Sequence, residues 1–464
     1  MHTRTRRLVG ALAAVIALGS IAVACGSDSD DSGASAKGCS GNEALRVPQD
    51  YKTITAAVAA AKACDLILVD EGVYKEAIDV TTPDLTIRGV DRNKVILDGG
   101  FTLENGIRVL DTEGVVVENM TARNYLSNGF YWTGSDRYRG SYLTAYRNGD
   151  YGIYAFDAYH GQFDHSLGWG SPDAGFYIGE CYRCDAVIDA VDAQYNGLGY
   201  SGTNSGGDLY IINSEFANNR AGMVPNAGSY EGCYPGRENT IVGNLIHDNN
   251  YMDGGGIDNA LLAQGNGLLS AGSINNVIER NRVYNHDRTG IAMVPFPESD
   301  ADDVPPPASE LTKPCDPKAK KPATPPADGA LWNATGNRIV DNVVENSGLA
   351  DIASTTIQLY GNKLTTADLN NCFSGNTFKT SAPADLEGLA PCDGKGNGGD
   401  FDKDSLNLAP LLAEQPPKPP KDAYRKTPVP PAQDVMPNAT SAAAKKFTGP
   451  AKPDVAAIKV PAKK

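Results

Sequence analysis

Residues 129–151 read GFYWTGSDRYRGSYLTAYRNGDY, residues 152–174 read GIYAFDAYHGQFDHSLGWGSPDA, and residues 175–198 read GFYIGECYRCDAVIDAVDAQYNGL. Each stretch opens on glycine, an apolar residue and tyrosine. The Gly–apolar pair recurs outward, giving Gly106-Ile107, Gly129-Phe130, Gly152-Ile153, Gly175-Phe176, Gly199-Tyr200, Gly222-Met223, Gly256-Ile257 and Gly290-Ile291. Successive spacings are 23, 23, 23, 24, 23, 34 and 34 residues. Between these pairs, period-two alternation marks strands at Val115 to Met120, Leu209 to Phe216, Thr240 to His247, Val277 to Tyr284 and Arg338 to Val344. Asparagine punctuates the later runs: Asn239 and Asn244, Asn276 and Asn281, Asn337 and Asn342.

A fixed period of this length marks a solenoid. It is too long for one hairpin and too short for a propeller blade. Short strands joined by tight turns make a coil, and each strand pairs with its equivalent about 4.8 Å away in the next coil. One coil cannot bury its apolar residues alone, but stacked coils share a core. Gly and Asn suit turns that need left-handed backbone. Stacked, buried Asn side chains also satisfy turn backbone groups in neighbouring coils. The longer spacings after Gly222 and Gly256 are read as loops inserted into coils. The expected fold class is all-β, a parallel β-helix.

The segment from Leu45 to Asp98 resembles the opening of the pectin-lyase-like superfamily of right-handed parallel β-helices. The resemblance implies a short capping helix at Ile54 to Ala63 over the open end of the core. It then implies a strand at Leu66 to Val69, a turn at Gly72-Val73-Tyr74 and a strand at Leu85 to Arg88. An end cap is physically required, because unpaired strand edges and apolar surface need cover. The resemblance runs over residues 45 to 380 and implies fold, not chemistry, because the superfamily holds lyases, hydrolases, epimerases, esterases and non-catalytic surface proteins. The Asp-Pro-His-Glu motif of the mannuronan epimerases is missing. The signatures of pectate lyases, pectin methylesterases and polygalacturonases are not matched either, so their catalytic residues do not carry over. The repeats also resemble periplasmic copper-accessory β-helix proteins. Six Met and five His, without a soft-ligand cluster, argue against copper.

The chain ends carry other signals. Arg4, Arg6 and Arg7 precede an apolar stretch, Leu8 to Ala24, that is shorter than the ~20 residues of a membrane span. Residues 1–24 read as a secretory signal peptide. Ala22-Val23-Ala24-Cys25-Gly26 resembles the bacterial lipobox, with Ala22 where Leu is usual. This implies a lipid on Cys25 and anchorage on the extracytoplasmic face of the cell membrane. Residues 25–38 form a polar tether, residues 39–412 the β-helix with a Pro-rich insertion at about 299–328, and residues 413–464 a disordered, basic Pro/Lys/Ala tail. Nine cysteines less Cys25 leave an even set, and export permits disulfides. The expected pairs are Cys39–Cys64, Cys181–Cys184, Cys233–Cys315 and Cys372–Cys392. Cys181–Cys184 is read as a staple, because no second CxxC exists to complete a metal site. A net charge of −15, with no basic stripe in the body, excludes nucleic acid as a partner. A monomer is expected.

Equal offsets from the repeat glycine stack in columns, so the alignment also maps chemistry. Two places after each glycine lie Arg108, Tyr131, Tyr154, Tyr177 and Ser201, an expected exposed aromatic ladder on which sugar rings would stack. Tyrosine is also simply a good strand former. Five places after lie Asp111, Asp157 and Glu180; eight places after lie Arg137, His160 and Arg183, with Asp136 adjacent. Paired carboxylates on successive coils resist double ionisation, which divides acid and base roles between them. Arg137 and Arg183 are expected to flank His160 and to stabilise a developing anion. The catalytic candidates are therefore Asp157, His160, Glu180, Arg183 and Arg137. Tyr131, Tyr154, Tyr177 and Asp136 are candidate substrate contacts. The same acids would also suit Ca²⁺, or a salt-bridged ladder that keeps coil register. No resident metal is assigned. His165 shares a column with Ile188 and Ile212 and is expected to pack inward. Two readings stay open: a lipid-anchored β-helix that cleaves or modifies a polysaccharide by lyase, epimerase or glycosidase chemistry, and a non-catalytic envelope protein that binds or scaffolds glycan.

Overall fold

The computed structural model describes residues 43–298, 313–315, 331–358, 361–441 and 443–464. The expected signal peptide, Cys25, the expected tether, Cys39 and most of the Pro-rich insertion lie outside the described residues. From Leu45 to Ala382 the chain winds as a right-handed parallel β-helix with three stacked sheets. One coil shows the plan. Phe130–Thr133 belongs to the 11-stranded sheet 1, Arg139–Ser141 to the 13-stranded sheet 2 and Thr144–Tyr146 to the 10-stranded sheet 3. Each pairs in parallel with its equivalent 23 residues on, as Phe130 does with Ile153 and Thr144 with Leu167.

Corners decide where strands stop. Left-handed residues turn them, two between sheets 1 and 2 and one between sheets 2 and 3, and they stack in columns whose members named here have φ between 47° and 54°. Asp157, Glu180 and Asn204 form one column between sheets 1 and 2, and Arg137, His160, Asp185 and Asp208 form another. Tyr142, His165, Ala190 and Asn213 stand between sheets 2 and 3. Four of the five runs read as strands are therefore broken in two, and the fifth, Val115 to Met120, is a strand that ends in the corner at Asn119. Thr240 to His247 is a strand ending at Val242, a corner at Gly243-Asn244, and a new strand from Leu245. Alternation survives the break because the corner returns the next side chain to the interior.

The punctuating asparagines do what stacked turns require. Asn244 N donates to Asn281 Oδ1 at 2.9 Å, Asn281 N to Asn342 Oδ1 at 2.9 Å, and Asn342 N to Asn376 Oδ1 at 3.0 Å. A parallel ladder runs through Asn239, Asn276, Asn337 and Asn371. Inside, Trp132, Tyr138, Phe163 and Phe176 interleave at ring separations of 5.5–6.4 Å and are fully buried.

At the N-terminal end, helix α1 (Ile54–Ala60) buries Ile54, Ala57 and Val58 over the first coil. Thr53 caps it, and the Glu76 carboxylate accepts from Ile54 N and Thr55 N, at the end of the helix that favours negative charge. The pairs Cys181–Cys184, Cys233–Cys315 and Cys372–Cys392 are formed as expected.

Two expectations are corrected. Gly256-Ile257 does not open a coil. Met223 pairs with Leu268, and Leu268 with Ile291, so Gly267 is the repeat glycine. Gly256 instead lies in an inserted loop clamped by buried Arg220, which donates to the carbonyls of Met252, Gly254 and Gly255. That loop carries helix α2 (Asp258–Leu262), which covers the C-terminal half of sheet 1 together with helix α4 (Leu408–Ala413). Helix α3 (Leu386–Leu389) closes the last coil.

The C-terminal tail is not a free basic chain either. It is a strap along the β-helix, with its carbonyls held by side chains of the coils: Thr427 by Arg147 (2.6 Å), Pro428 by Trp169 (2.8 Å) and Ile458 by Arg280 (2.7 Å). Proline removes backbone donors, so such a segment cannot join a sheet, and its acceptors find arginine instead. Lys446 pairs with Asp84 and Lys463 with Glu345, so its positive charge meets the acidic body. Ile458 and Val455 cover Val187, Tyr210, Ile212 and Val242 on the outer face of sheet 2.

Candidate functional site

The expected tyrosine column exists. Tyr131 pairs with Arg108 and Tyr154, and Tyr154 with Tyr177, all outward on sheet 1. Ring centroids lie 4.8 Å apart between Tyr131 and Tyr154, and 4.7 Å between Tyr154 and Tyr177. The ladder is not fully exposed. Tyr131 and Tyr154 are half-buried, and Tyr177 is sealed, with its hydroxyl donating to Glu231 Oε2 at 2.6 Å. Glu231 arrives on the loop after Asn226, which is tied down by Cys233–Cys315 and by Ser229 bonding to Glu298. The ladder is thus an open shelf from Arg108 to Tyr154 that ends against a wall.

Two carboxylate pairs flank the shelf. Asp157 and Glu180 occupy successive corners, as the alignment implied, but both are buried. Tyr159 hydrogen-bonds Asp157, and Gly232 N donates to Glu180 Oε2 at 2.7 Å. The second pair, Asp150 and Asp173, was not singled out from the sequence. Asp173 N donates to the Asp150 carbonyl from the next coil, and Tyr151 bonds Asp173. The Tyr151 ring packs 4.5 Å from that of Tyr154 and 4.9 Å from that of Tyr177. Burial raises both carboxyls. Asp150 is pushed up to about 6, and Asp173 is pushed well up by burial and then by the charge of Asp150. Burial likewise raises the hydroxyls of Tyr131, Tyr154 and Tyr177, which stay neutral donors. The signal for the second pair was present, because both acids stand two places before a repeat glycine. Glu231 had none, since it sits in an inserted loop without period.

The remaining candidates form a different structure. His160 is not flanked by two arginines. Its Nδ1 meets Asp136 Oδ1 at 2.5 Å and its Nε2 lies 3.7 Å from Asp185. The Cys181–Cys184 stretch inserts two residues, so the corner equivalent to His160 is Asp185, not Arg183. Arg183 pairs with Asp208, and Arg137 with Glu113 at 2.8 Å. Burial works to raise Asp136, but bonds from His160 and Lys313 outweigh it and hold that carboxyl down at about 2. This row is a salt-bridged corner ladder. Asp157 and Glu180 are brought to the tyrosine shelf; Arg137, His160, Arg183 and Asp136 are not.

His165, expected inside, is exposed. Its corner conformation turns the side chain out, whereas Ile188 and Ile212 belong to the strand before the corner. Among the described residues, no group of three or more His, Cys, Asp or Glu side chains is arranged to hold a metal ion.

No protein-family profile matches the chain, and no curated protein matches it. Solved structures similar to it include the mannuronan C-5 epimerase AlgE4 A-module of Azotobacter vinelandii, at 13% identity and TM-score 0.44 over 70% of this chain and 88% of that one. Pectate lyase Pel9A is similar at 16% identity and TM-score 0.36, over 84% of this chain and 86% of that one. An alginate lyase from Paenibacillus is similar at 16% identity and TM-score 0.39, over 51% and 86%. At these identities the likeness is one of fold, the parallel β-helix.

Proposed function

We propose that the protein binds a polysaccharide along Arg108, Tyr131 and Tyr154 and acts on it by proton transfer from the Asp150–Asp173 pair. One observation carries this reading: a ring ladder at stacking distance ends beside two carboxyls that burial keeps protonated towards neutral pH. An acid of that strength, beside neutral tyrosine hydroxyls, suits protonation of a glycosidic oxygen in cleavage, or return of a proton to a sugar carbon. Asp157 and Glu180 hold the wall in place. A binding-only reading draws support from the same burial, since Asp173 is 5% exposed.

Incubation with a panel of wall and environmental polysaccharides, with and without Ca²⁺, tests the proposal by mass spectrometry of the products. Epimerisation, which is mass-neutral, is read by NMR. Shortened or epimerised chains are expected from the wild type, with at least about tenfold less product from Asp150→Asn. Tyr154→Ala is expected to weaken glycan retention about tenfold, the worth of a lost ring contact with its buried area. Saturable binding without product on every substrate would leave a glycan-binding scaffold.

We also propose that the β-helix is held at the cell membrane by a lipid on Cys25. Labelling with an alkyne fatty acid is expected to mark the wild type and not Cys25→Ser; equal labelling of both would remove the anchor.

A further inference from the structure

A second groove lies away from the tyrosine shelf, along the corner between sheets 2 and 3. It encloses roughly 870 Å³ and is open to solvent. Gln433–Pro437 of the strap bounds it beside Arg92, and Pro461–Lys464 bounds it beside Glu215. This volume is within the range of small-molecule sites.

Its floor is the corner column Tyr142, His165, Ala190 and Asn213. Tyr142 and His165 stack face to face, with centroids 4.6 Å apart and planes 7° apart. His165 Nδ1 lies 3.0 Å from Asp164 Oδ1, which fixes the ring. The next rung is Ala190, exposed and bearing only a methyl group. The face of His165 turned away from Tyr142 therefore looks over an open place one ring deep. The strap closes the column at either end: Met436 N bonds Asn119 Oδ1 at 2.9 Å, and Ile458 packs on Gly243. Between those ends the Ala190 rung has only a methyl group above His165, and the next rung, exposed Asn213, donates to Asp189 Oδ1 at 2.9 Å.

Charge narrows what fits there. Asp192 and Glu215 pair across sheet 3 beside the groove, and Asp189 precedes Ala190. The cations are already engaged. Arg92 donates to the carbonyls of Leu143, His165 and Asp434, and Lys464 to Glu215. His165 is a third basic group, made easier to protonate by its bond to Asp164 and paired with that carboxylate, so among the described residues lining the groove an anionic ligand would meet Asp192 and Glu215 with every basic group already engaged. Hydroxyl groups would meet the remaining lone pairs of Asp192, whose oxygens also accept from Gln194, and of Glu215, which also bonds His247 and Lys464.

We propose that this groove is a second glycan site, taking one neutral sugar ring stacked on His165 over Ala190, with its hydroxyls donating to Asp192 and Glu215. It is separate from the shelf, and each site can fail without the other. Burial raises the Asp192 carboxyl to about 6, so it also serves as a donor to a ring hydroxyl in mildly acid medium.

The His165 ring proton in the NMR spectrum of the full mature chain reports the site directly. Methyl glucoside, methyl galactoside and methyl mannoside are added in turn, with glucuronate as the anionic comparison. At least one neutral glycoside is expected to move the His165 signal saturably, and glucuronate at least about threefold more weakly. Ala190→Tyr fills the empty rung with the residue that the equivalent corner at Tyr142 already carries, so the fold accommodates it. It is expected to abolish the shift, and Asp192→Ala to weaken binding at least fivefold, the worth of about one hydrogen bond. Tyr154→Ala, on the shelf, is expected to leave the His165 response unchanged. A silent His165 signal with all three glycosides, or an undiminished response in Ala190→Tyr and Asp192→Ala, overturns the proposal.

Discussion

Asn281→Ala is expected to destabilise the β-helix by about 3–6 kcal/mol, among the largest losses open to a single substitution that removes no core volume of note. Asn281 is fully buried. Its Oδ1 accepts from Asn244 N at 2.9 Å and from Asn244 Nδ2 at 3.0 Å, while its Nδ2 donates to the Ile241 carbonyl at 2.9 Å and to Asn342 Oδ1 at 3.0 Å. Alanine leaves the Asn244 amide and the Ile241 carbonyl without those partners inside a closed corner. Each orphaned buried group costs about 1–3 kcal/mol, and a truncated side chain leaves space too small for a well-coordinated water. The urea midpoint of Asn281→Ala against wild type measures the effect. An exposed corner asparagine, Asn346, serves as comparison, with Asn346→Ala expected to cost no more than about 1–2 kcal/mol, the strain of alanine at its left-handed φ of 61°. Equal midpoints for Asn281→Ala and wild type would mean that the ladder is decoration.

The same asparagines show why the fold was legible. A corner position that is buried and must satisfy the amides of the coils on either side accepts few residue types, so Asn239, Asn244, Asn276, Asn281, Asn337 and Asn342 betray the coil from spacing alone, although the left-handed residue is the one before each: Glu238, Gly243, Asn275, Arg280, Gly336 and Asp341. Strand ends were less legible. The corners also hold Arg137, Tyr142, His165 and Ala190, residues whose chemistry does not announce a left-handed backbone. A Gly-Ile pair at Gly256 imitated the repeat, because glycine serves loops as well as coils, and the true repeat glycine, Gly267, is followed by Leu268 with no tyrosine after it.

The site was legible in part, for a related reason. Column arithmetic placed Tyr131, Tyr154 and Tyr177 in one ladder and Asp157 above Glu180. It failed where the count slips. Two residues inserted at Cys181–Cys184 took Arg183 out of the His160 column and put Asp185 there. Burial was not readable at all, since the loop carrying Glu231 and Gly232 covers Tyr177 and Glu180 from far along the chain. The tail was misjudged because composition reports what a segment lacks, namely apolar residues and backbone donors. It does not report that Arg147, Arg280 and Arg282 wait on the coils to bond its carbonyls.

Asp150→Asn is expected to stabilise the protein at neutral pH by about 1–3 kcal/mol while impairing its action on glycan. The sign follows from the raised carboxyl. In the unfolded chain Asp150 ionises near its ordinary 3.8, and in the folded chain near 6. Between those values the folded state binds the extra proton, so stability is fully present below about pH 4 and falls as pH rises to about 6. Above that the charged or strained carboxyl is a standing cost. Asn removes the charge but keeps the shape. Asp173 is raised in the same direction by burial and by its neighbour, so Asp173→Asn is expected to flatten the same window; Asp192, also raised to about 6, leaves a residual slope in both variants. Urea midpoints at pH 4, 5, 6 and 7 give the slope, and product formation on the same samples gives the function. A corner that existed only to hold coils in register would gain nothing from two acids packed under a tyrosine. Stability that rises as turnover falls is the mark of a group kept for chemistry. If Asp150→Asn instead lowers the midpoint at pH 7 and leaves the slope between pH 4 and 6 untouched, the pair is an ordinary part of the ladder and the acid role assigned to it is wrong.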